Sequence, residues 1–465
     1  MLSLYFQNED PEFDLLFDSQ EEAQAYVDRY KQSVLADGSK VVAERVNFAP
    51  QPQSSMSVID QHTGYVKAIV GGRGEKTASL TLNRATDTTR QPGSTFKVVS
   101  TYAPALNEKG MTLATTFEDE PYNYPDGSPV ENASRTYGGT TTIRRAIRNS
   151  INVVAVKCLE EVTPELGLQY LDNFGFTTLA HGTEADTDAN GTVWTDANLP
   201  LALGGLTHGV TNVELCAAYA AIANQGNYIE PLYYTKILDH NGNVLIEKTS
   251  AERSVIKEST AWLLTSAMED VVKSGTGTAC QLDNMTVAGK TGTTDDYNDL
   301  WFVGYTPYYT CAVWSGFDNN EKLPDDYSRD FHKDMWRKVM TRIHEGLEDK
   351  DFEMPSTVEK ISVCADTGLL PRSGCSVITE FFDVGDVPTD YCEEHFYEPE
   401  PVIPEYTYDE TIIPEPSLTP ENPDENGDQG DGNTDNGDAG GEGNGGDDTG
   451  SGDTGGGDTG DGDTG

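Results

Sequence analysis

The chain has 465 residues, of which 36% are hydrophobic, and it contains 78 acidic against 31 basic side chains, a formal net charge of −47. A negative charge of this size argues against nucleic acid as a partner, because phosphate binding relies on Lys and Arg. The sequence has no run of 18 apolar residues and no apolar export segment at its N-terminus, so it predicts no transmembrane helix and no signal peptide in this chain.

The composition divides the chain into four predicted regions. Residues 1–53 are mixed and acidic, with one helical stretch, EEAQAYVDRYKQSVL, and are expected to be a linker. Residues 54–345 are predicted to form the main globular domain, and residues 346–395 a small Cys-containing module. Residues 396–465 contain 20 acidic residues, no Lys or Arg and Gly-rich repeats. Such a segment has too little apolar surface to fold, so we predict a disordered acidic Pro/Gly-rich tail.

The main domain shows strand and helix patterns in blocks. A hairpin is predicted by SMSVID and YVKAIVGG, which flank the turn QHTG. Helical spacing follows Ser94 in TFKVVSTYAPALNEKG, and two more helices are predicted by TNVELCAAYAAIANQG and STAWLLTSAMEDVV. A second hairpin is predicted by YYTKILDHNGNVLIE, and three strands by MTVAGKTGT, LWFVGYT and YYTCAVWSGF. These elements predict an α+β fold, an antiparallel β-sheet flanked by helices.

The stretch RQPGSTFKVVS contains Ser94 and Lys97 in the pattern S-x-x-K. A serine hydroxyl becomes an effective nucleophile when a base lies within hydrogen-bond reach. A spacing of three residues along a helix puts Lys97 on the same face as Ser94. The lysine must be neutral to accept a proton, so burial or a nearby positive charge has to lower its pKa. Backbone N–H groups at the helix start can also stabilise an oxyanion.

Two later motifs can complete a serine-based site. Residues 150–152 match S-x-N, which pairs a hydroxyl with a carboxamide that can bind a peptide. Residues 290–293 match K-T-G-T, in which the glycine allows a ligand backbone to approach and the hydroxyls can bind a carboxylate.

Two of the short motifs also occur a second time. The second S-x-x-K begins at Ser254, and no S-x-N follows it. The second K-[ST]-G-T, residues 273–276, follows a predicted helix and lies in a Gly-rich run, which is typical of a helix end. Only Ser94, Ser150 and Lys290 occur in an order that brings all three motifs together.

With the flanking segments QPGSTFK, SINVVAVK, ALGGLTHGVTNVELCAAYAAIANQGNYIEP and KTGTTDDYNDLWFVGYTP, the chain resembles the transpeptidase domain of class A penicillin-binding proteins over about residues 54–345. The resemblance implies a D-Ala-D-Ala transpeptidase, with carboxypeptidase cleavage as a side activity, that cross-links peptidoglycan stem peptides through an acyl-enzyme. It further implies covalent inhibition by penicillin and other β-lactams, and no cofactor.

The resemblance also concerns the parent protein. Class A members contain an N-terminal membrane anchor and a glycosyltransferase domain, and neither fits into residues 1–53. We therefore expect this chain to be a fragment of an extracytoplasmic protein that is attached to the cell membrane through a part outside this sequence.

The resemblance assigns catalytic roles motif by motif. It makes Ser94 the nucleophile and Lys97 the base in acylation. Ser150 and Lys290 would relay a proton to the departing D-Ala, and Asn152 would orient the peptide.

The K-T-G-T motif receives the substrate-binding roles. Thr291 and Thr293 would hold the terminal carboxylate, and Gly292 would allow the strand to approach the substrate closely. The backbone N–H groups of Ser94 and Thr293 would form the oxyanion hole.

Two other functions stay open. A serine β-lactamase shares the acylation chemistry but needs a base for a deacylating water, and no family-like Glu loop lies between Asn152 and Lys290. A non-enzymatic β-lactam or muropeptide sensor, or an inactive scaffold, could retain Ser94 without cross-linking peptides. A Ser-His mechanism through His208 is disfavoured, because a complete lysine-based site makes a histidine base unnecessary.

The seven cysteines fall into two groups. Four are expected to be buried as small hydrophobic side chains: Cys158, Cys216, Cys280 and Cys311. The last three are Cys364, Cys375 and Cys392, and the third of these begins the run Cys392-Glu-Glu-His395. Three thiolates and one imidazole can bind a metal, but the spacing lacks the C-x-x-C pairs of common zinc sites. Zinc, a disulfide and free thiols therefore remain open, and we assign no metal ligand.

Overall fold

A computed structural model of the chain describes residues 2–44, 46, 48–76 and 79–395. Its helices are α1 (Leu2–Gln7), α2 (Gln20–Val34), α3 (Ala103–Asn107), α4 (Ile143–Asn149), α5 (Asn152–Val162), α6 (Pro164–Asn173), α7 (Asn212–Ala223), α8 (Glu258–Ser274) and α9 (Phe331–Ile343). Its strands are β1 (Gln53–Asp60), β2 (Tyr65–Val70), β3 (Thr116–Asp119), β4 (Tyr122–Asn123), β5 (Pro129–Val130), β6 (Gly139–Thr142), β7 (Asn227–Ile229), β8 (Lys236–Leu238), β9 (Val244–Glu247), β10 (Glu252–Ser254), β11 (Ala288–Thr293), β12 (Asp299–Tyr305), β13 (Thr310–Gly316), β14 (Val358–Cys364) and β15 (Val377–Asp383). The predicted tail at 396–465 lies outside the described residues.

The central sheet is antiparallel, with the strand order β11-β12-β13-β1-β2. Both β12 and β13 are buried along their whole length. Trp301 packs into the core that contains α7, whereas Phe302 packs with α9 on the opposite face. Strands covered on both faces read as continuous apolar runs, which explains the sequence LWFVGY. The predicted antiparallel sheet flanked by helices is therefore confirmed.

The helix predicted from TNVELCAAYAAIANQG is confirmed as α7, and the hydrogen bonds at its start explain why the sequence indicated it. The hydroxyl of Thr211 accepts a hydrogen bond from the Glu214 N–H, and the Glu214 carboxylate accepts one from the Thr211 N–H. This capping box satisfies two N–H groups that a helix start otherwise leaves unpaired. The helix then packs against β1 and β13. The four cysteines expected in the core are buried.

The helix that follows Ser94 has an irregular first half. A 3-10 turn at Gly93–Thr95 leads into a π-helical segment, Lys97–Tyr102, before α3 begins. Single π-helical turns inside helices are rare and are frequent at functional sites. The predicted helix is confirmed, but it begins with a 3-10 turn and a π-helical segment instead of regular α-helical turns.

The Cys-containing segment forms an antiparallel hairpin, β14–β15, and β15 packs against α8. Glu380 on β15 pairs with Arg144 on α4 through two hydrogen bonds of 2.7 Å each. Arg144 also donates to Asp270 on α8 at 2.8 Å. The hairpin is thereby attached to α4, the helix that ends one residue before Ser150.

The N-terminal segment contains more structure than the predicted linker helix alone. That helix is confirmed as α2, and aromatic side chains of α1 pack against it, with Phe6 buried beside Tyr26. None of the helices in the described ranges combines the length and apolarity that crossing a bilayer requires.

Candidate active site

The turn that contains Ser94 is held in place by the residues before it. Arg90 donates a hydrogen bond to the carbonyl of Asp318 at 2.8 Å. Gln91 exchanges two hydrogen bonds with the backbone of Leu206, at 2.7 and 2.9 Å. These contacts attach the Ser94 turn to two other segments and leave Ser94 itself half-buried at the cleft.

Two glycines bring the Ser94 turn into backbone contact with β11. Gly93 has a φ of 54°, and a Cβ there would lie 2.7 Å from the carbonyl oxygen of Thr293. A Cβ on Gly292 would lie 2.5 Å from the carbonyl oxygen of Pro92. Side chains do not fit at either position, so the peptide units of Ser94 and Thr293 lie on neighbouring segments.

Lys97 is fully buried, and its amine contacts the S-x-N motif. Nζ donates to the carbonyl oxygen of Ser150 at 2.7 Å and to Oδ1 of Asn152 at 2.5 Å. The hydroxyl of Ser150 lies 3.3 Å from the same nitrogen. A neutral amine has two N–H donors and one lone pair, so the two carbonyl acceptors use both donors. The lone pair then remains for a hydroxyl proton.

Lys290 approaches Ser150 from the other side. Its Nζ donates to the Ser150 hydroxyl at 2.8 Å and to the carbonyl oxygen of Thr291 at 3.0 Å. Like Lys97, this side chain is fully buried. The Ser150 hydroxyl therefore lies between two amines, as a proton relay requires.

Burial changes the charge state of both lysines. Desolvation lowers the pKa of Lys97 well below its ordinary value, and the charge of Lys290 lowers it further. Desolvation also lowers the pKa of Lys290, to about 7. Both amines therefore lose a proton far more readily than a lysine in water, which a lysine base requires.

Ser150 adopts an unusual backbone conformation. It caps α4 with φ 56° and ψ 43°, in the left-handed region that non-glycine residues rarely occupy. Such conformations persist where the surrounding structure enforces them, and they concentrate at functional sites. Here the conformation turns the chain between α4 and α5 so that both the carbonyl and the hydroxyl of Ser150 face the lysines.

Asn132 supports this turn and was missed in the sequence. Its Oδ1 accepts hydrogen bonds from the N–H groups of Asn152 at 2.9 Å and Val153 at 3.2 Å, which cap the start of α5. The N-cap position of α5 is Ile151, whose side chain cannot accept a hydrogen bond. An apolar N-cap is thus the sequence signal that a distant acceptor must complete the helix start, although it does not identify Asn132.

Thr276 is a second missed neighbour, and it belongs to the rejected K-S-G-T copy. The prediction that this copy lies at a helix end is confirmed, because α8 stops at Ser274. Even so, the Thr276 hydroxyl lies 2.7 Å from the Thr291 hydroxyl. The loop therefore borders the site without supplying its lysine.

The predicted residues meet at one cleft made of two cavities, of about 560 and 420 Å³, that share Ser94, Asn152 and Thr293. Ser150 and Thr291 line the smaller cavity. A larger cavity of about 850 Å³ lies beside the Cys-containing hairpin and includes none of these residues. We locate the site by its side-chain chemistry, because volume alone would place it elsewhere.

The other rejected alternatives do not line this cleft. Ser254 is exposed at the end of β10, and Lys257 precedes α8, so no helix joins the second S-x-x-K pair. His208 is an exposed loop residue and lines neither cavity.

Replacement of Lys290 by methionine is expected to flatten the pH dependence of stability. The unfolded lysine keeps its proton up to about pH 10.5, whereas the folded amine loses it near pH 7. The unfolded state therefore binds more protons between these values, and stability rises with pH there by up to about 1.4 kcal/mol per pH unit. Urea unfolding at pH 7, 8 and 9 measures this slope.

The exposed Lys67→Met variant is the matched control and should retain the wild-type slope. We expect Lys290→Met to be more stable than the wild type at pH 7, with a difference that narrows as the pH rises. If the free energies of unfolding of the wild type and Lys290→Met changed in parallel with pH, the lowered pKa of Lys290 would be contradicted.

The sequence of this chain is similar to known protein families and proteins over the region that contains this site. Residues 55–341 match the family model described as the penicillin binding protein transpeptidase domain, and residues 354–397 match the C-terminal domain of penicillin-binding protein 1A. Penicillin-binding protein 1A of Clostridium botulinum is 34% identical over 382 aligned positions, which cover 78% of this chain and 44% of that protein. Penicillin-binding protein 1A/1B of Bacillus subtilis is 30% identical over 370 positions, 74% of this chain and 38% of that protein. The chain thus spans less than half the length of these relatives.

Solved structures show the same fold. Penicillin-binding protein 1A from Haemophilus influenzae has a TM-score of 0.62 at 23% identity, covering 75% of this chain and 55% of that one. PonA1 from Mycobacterium tuberculosis in complex with penicillin V has a TM-score of 0.57 at 25% identity, covering 72% and 86%. The transpeptidase family model spans more than half of this chain and includes every residue of the Ser94 cleft named above, so the chain belongs to the penicillin-binding protein transpeptidase family.

Proposed function

We propose that this chain is a serine D,D-transpeptidase that cross-links peptidoglycan stem peptides through an acyl-enzyme on Ser94. The main observation behind the proposal is the pair of buried lysines, Lys97 and Lys290, on either side of the Ser150 hydroxyl. Two amines of depressed pKa in contact with one hydroxyl suit proton transfer in both directions. PonA1, a relative of similar fold, was solved with penicillin V, which supports the proposal that β-lactams acylate Ser94 here.

Acylation begins with attack by the Ser94 hydroxyl oxygen on the carbonyl carbon between the two terminal D-Ala residues of the donor peptide. Neutral Lys97 accepts the hydroxyl proton as the C–O bond forms. The backbone N–H groups of Ser94 and Thr293 donate to the oxyanion, in keeping with the close approach of their segments at Gly93 and Gly292.

Collapse of the tetrahedral intermediate breaks the C–N bond and releases D-Ala. The departing amine takes the proton of the Ser150 hydroxyl, and protonated Lys290 returns one to Ser150 across their 2.8 Å hydrogen bond. An acceptor amine then attacks the ester carbonyl. Its proton passes to Ser150 and from there to Lys290. Protonated Lys97 returns its proton to the Ser94 oxygen as the ester C–O bond breaks, which frees the Ser94 hydroxyl and completes the cross-link.

Substrate orientation is assigned to Asn152 and to the threonine hydroxyls of the K-T-G-T motif. Asn152 uses Oδ1 for Lys97 and one Nδ2 hydrogen for the Glu131 carbonyl. Its second Nδ2 hydrogen can donate to a peptide carbonyl of the substrate. The hydroxyls of Thr291 and Thr293, which line the smaller cavity, are proposed to bind the terminal carboxylate.

The domain organisation follows from this function as a further part of the proposal. Residues 54–345 would form the transpeptidase domain, 1–53 a connecting segment and 346–395 the small module, followed by the tail. Because peptidoglycan is assembled outside the cytoplasm, we propose that the chain acts there within a membrane-anchored parent protein.

A peptide exchange assay tests the proposed function. The chain is incubated with a peptide ending in D-Ala-D-Ala and with glycine or a D-amino acid as acceptor, and products are followed by mass spectrometry. The expected result is a peptide whose terminal D-Ala is replaced by the acceptor. Release of D-Ala with water alone as acceptor would reduce the function to a carboxypeptidase.

Penicillin turnover separates the two alternative functions. A β-lactamase would hydrolyse penicillin repeatedly, whereas the proposed enzyme should form one long-lived adduct per chain. A β-lactamase also needs a base for the deacylating water. Among the described residues that line the two cavities, the one glutamate is Glu131, and its hydrogen bond to Asn152 uses the backbone carbonyl and not the carboxylate. A stable adduct without any exchange of D-Ala would instead favour a sensor or scaffold.

A further inference from the structure

Four side chains with metal-binding atoms meet at the end of the β14–β15 hairpin. They are Cys364, Cys375, Cys392 and His395, and their ligand atoms all lie within 4.8 Å of one another. His395 Nδ1 lies 3.4 Å from the sulfur of Cys364 and 3.3 Å from that of Cys392. A tetrahedral zinc with Zn–S bonds of about 2.3 Å places its ligand atoms roughly 3.5 to 3.8 Å apart. The two observed N–S separations lie within about 0.2 Å of this range.

The fold achieves this arrangement with three short segments. The first loop begins at Cys364, whose N–H donates to the Leu369 carbonyl at 2.8 Å. The segment with Cys392 is attached to it, because the Cys392 N–H donates to the Leu370 carbonyl at 2.9 Å. The four side chains are therefore close together in the fold, although their spacing along the chain does not match a common zinc motif.

The groups around the cluster match the outer shell of a metal site. The far nitrogen of His395, Nε2, lies 3.5 Å from the carboxylate of Asp366. A carboxylate at this position fixes the imidazole and directs Nδ1 towards the metal. The N–H of Arg372 donates to the sulfur of Cys375 at 3.3 Å, which stabilises a thiolate.

A disulfide explains fewer of these contacts. It would join two of the three cysteines and leave the third sulfur and His395 without a role. All three cysteines are free thiols in this structure. A zinc ion uses all four groups, with no open coordination position, as structural zinc sites do.

We propose that Cys364, Cys375, Cys392 and His395 bind one structural Zn²⁺ ion. Binding displaces the remaining thiol protons and leaves three thiolates and a neutral imidazole on the metal. The ion closes the loops at the end of β14–β15 and so stabilises the hairpin that Glu380 attaches to α4. The site is independent of the proposed transpeptidase chemistry, because it shares no residue with the Ser94 cleft.

Metal content of the full chain tests the proposal directly. The protein is purified under reducing conditions without chelators, and zinc is measured by elemental mass spectrometry. We expect about one Zn²⁺ per chain, and thiolate-to-metal charge-transfer absorption after replacement by Co²⁺. Removal by a strong chelator should lower the melting temperature, and Zn²⁺ but not Mg²⁺ should restore it.

Matched variants locate the ion. His395→Gln and Cys375→Ser should each lower zinc content well below the wild-type value, whereas His240→Gln, an exposed histidine outside the cluster, should retain it. If the cluster variants do not fold, the zinc content of the wild type still decides the question.

Two results would overturn the proposal. One is a reduced wild-type chain that forms a penicillin adduct but holds no zinc after incubation with Zn²⁺. The other is a disulfide between any two of the three cysteines in the purified protein, shown by peptide mapping.

Discussion

Ser94→Ala is expected to abolish covalent labelling by fluorescent penicillin and to lower D-Ala release by roughly a thousandfold or more. The Ser150 hydroxyl, in contrast to that of Ser94, is engaged by both Lys97 and Lys290. Gel fluorescence after incubation with the label measures the adduct. The stability of the variant should stay within about 0.5 kcal/mol of the wild type, because the Ser94 hydroxyl has no hydrogen-bond partner among the described residues.

The second S-x-x-K copy supplies the matched control for this experiment. Ser254 is exposed on β10, and Ser254→Ala should label like the wild type. If Ser94→Ala retained labelling, or if Ser254→Ala lost it, the assignment of the nucleophile would be wrong.

Lys97→Met is expected to slow acylation by on the order of 10² to 10⁴-fold, the usual contribution of a general base. Methionine keeps the apolar length of the side chain but has no lone pair that can take the Ser94 proton. Lys97→Arg should fail in the same way, since a guanidinium does not deprotonate in proteins. Stopped-flow measurement of penicillin acylation gives these rates.

The pH profile adds a readout that a structural role of Lys97 would not change. Burial and Lys290 lower the pKa of Lys97, so the wild-type acylation rate should fall as the pH falls through that lowered value. This fall in acylation rate at low pH should disappear in Lys97→Met and persist in the exposed control Lys67→Met. Acylation by Lys97→Met within tenfold of the wild-type rate would exclude Lys97 as the base.

The strands of the central sheet could be predicted because their signals are local. Turn residues bound β11, β12 and β13, which are neighbours both along the chain and in the sheet. The pairing of β1 with β13 is different, because it places the hydroxyls of Ser54 and Ser315, 261 positions apart, at 2.8 Å. No local pattern encodes such a partner.

The order of the motifs predicted which residues meet in the cleft but not how they contact each other. Helical spacing placed Lys97 on the same face as Ser94, but it did not predict that the Lys97 amine donates to Ser150 and Asn152. Asn132 was missed because it caps a helix that begins 20 residues later. Contacts of this kind depend on how separate segments pack.

The cysteines show the same limit. Cys364, Cys375 and Cys392 lack the C-x-x-C pairs of common zinc sites, so the sequence left zinc, a disulfide and free thiols open. The hairpin reverses the chain and brings the three sulfurs together with His395. Spacing rules for zinc sites describe short C-x-x-C pairs, so they do not detect side chains that strand pairing brings together.

The most direct test of the central claim is to identify the residue that holds the acyl group. The wild-type chain is acylated with penicillin and digested, and the modified peptide is sequenced by tandem mass spectrometry. We expect one adduct per chain, on Ser94 within RQPGSTFK, that persists for many minutes. An adduct on any other residue, or a folded chain that forms none, would contradict the account.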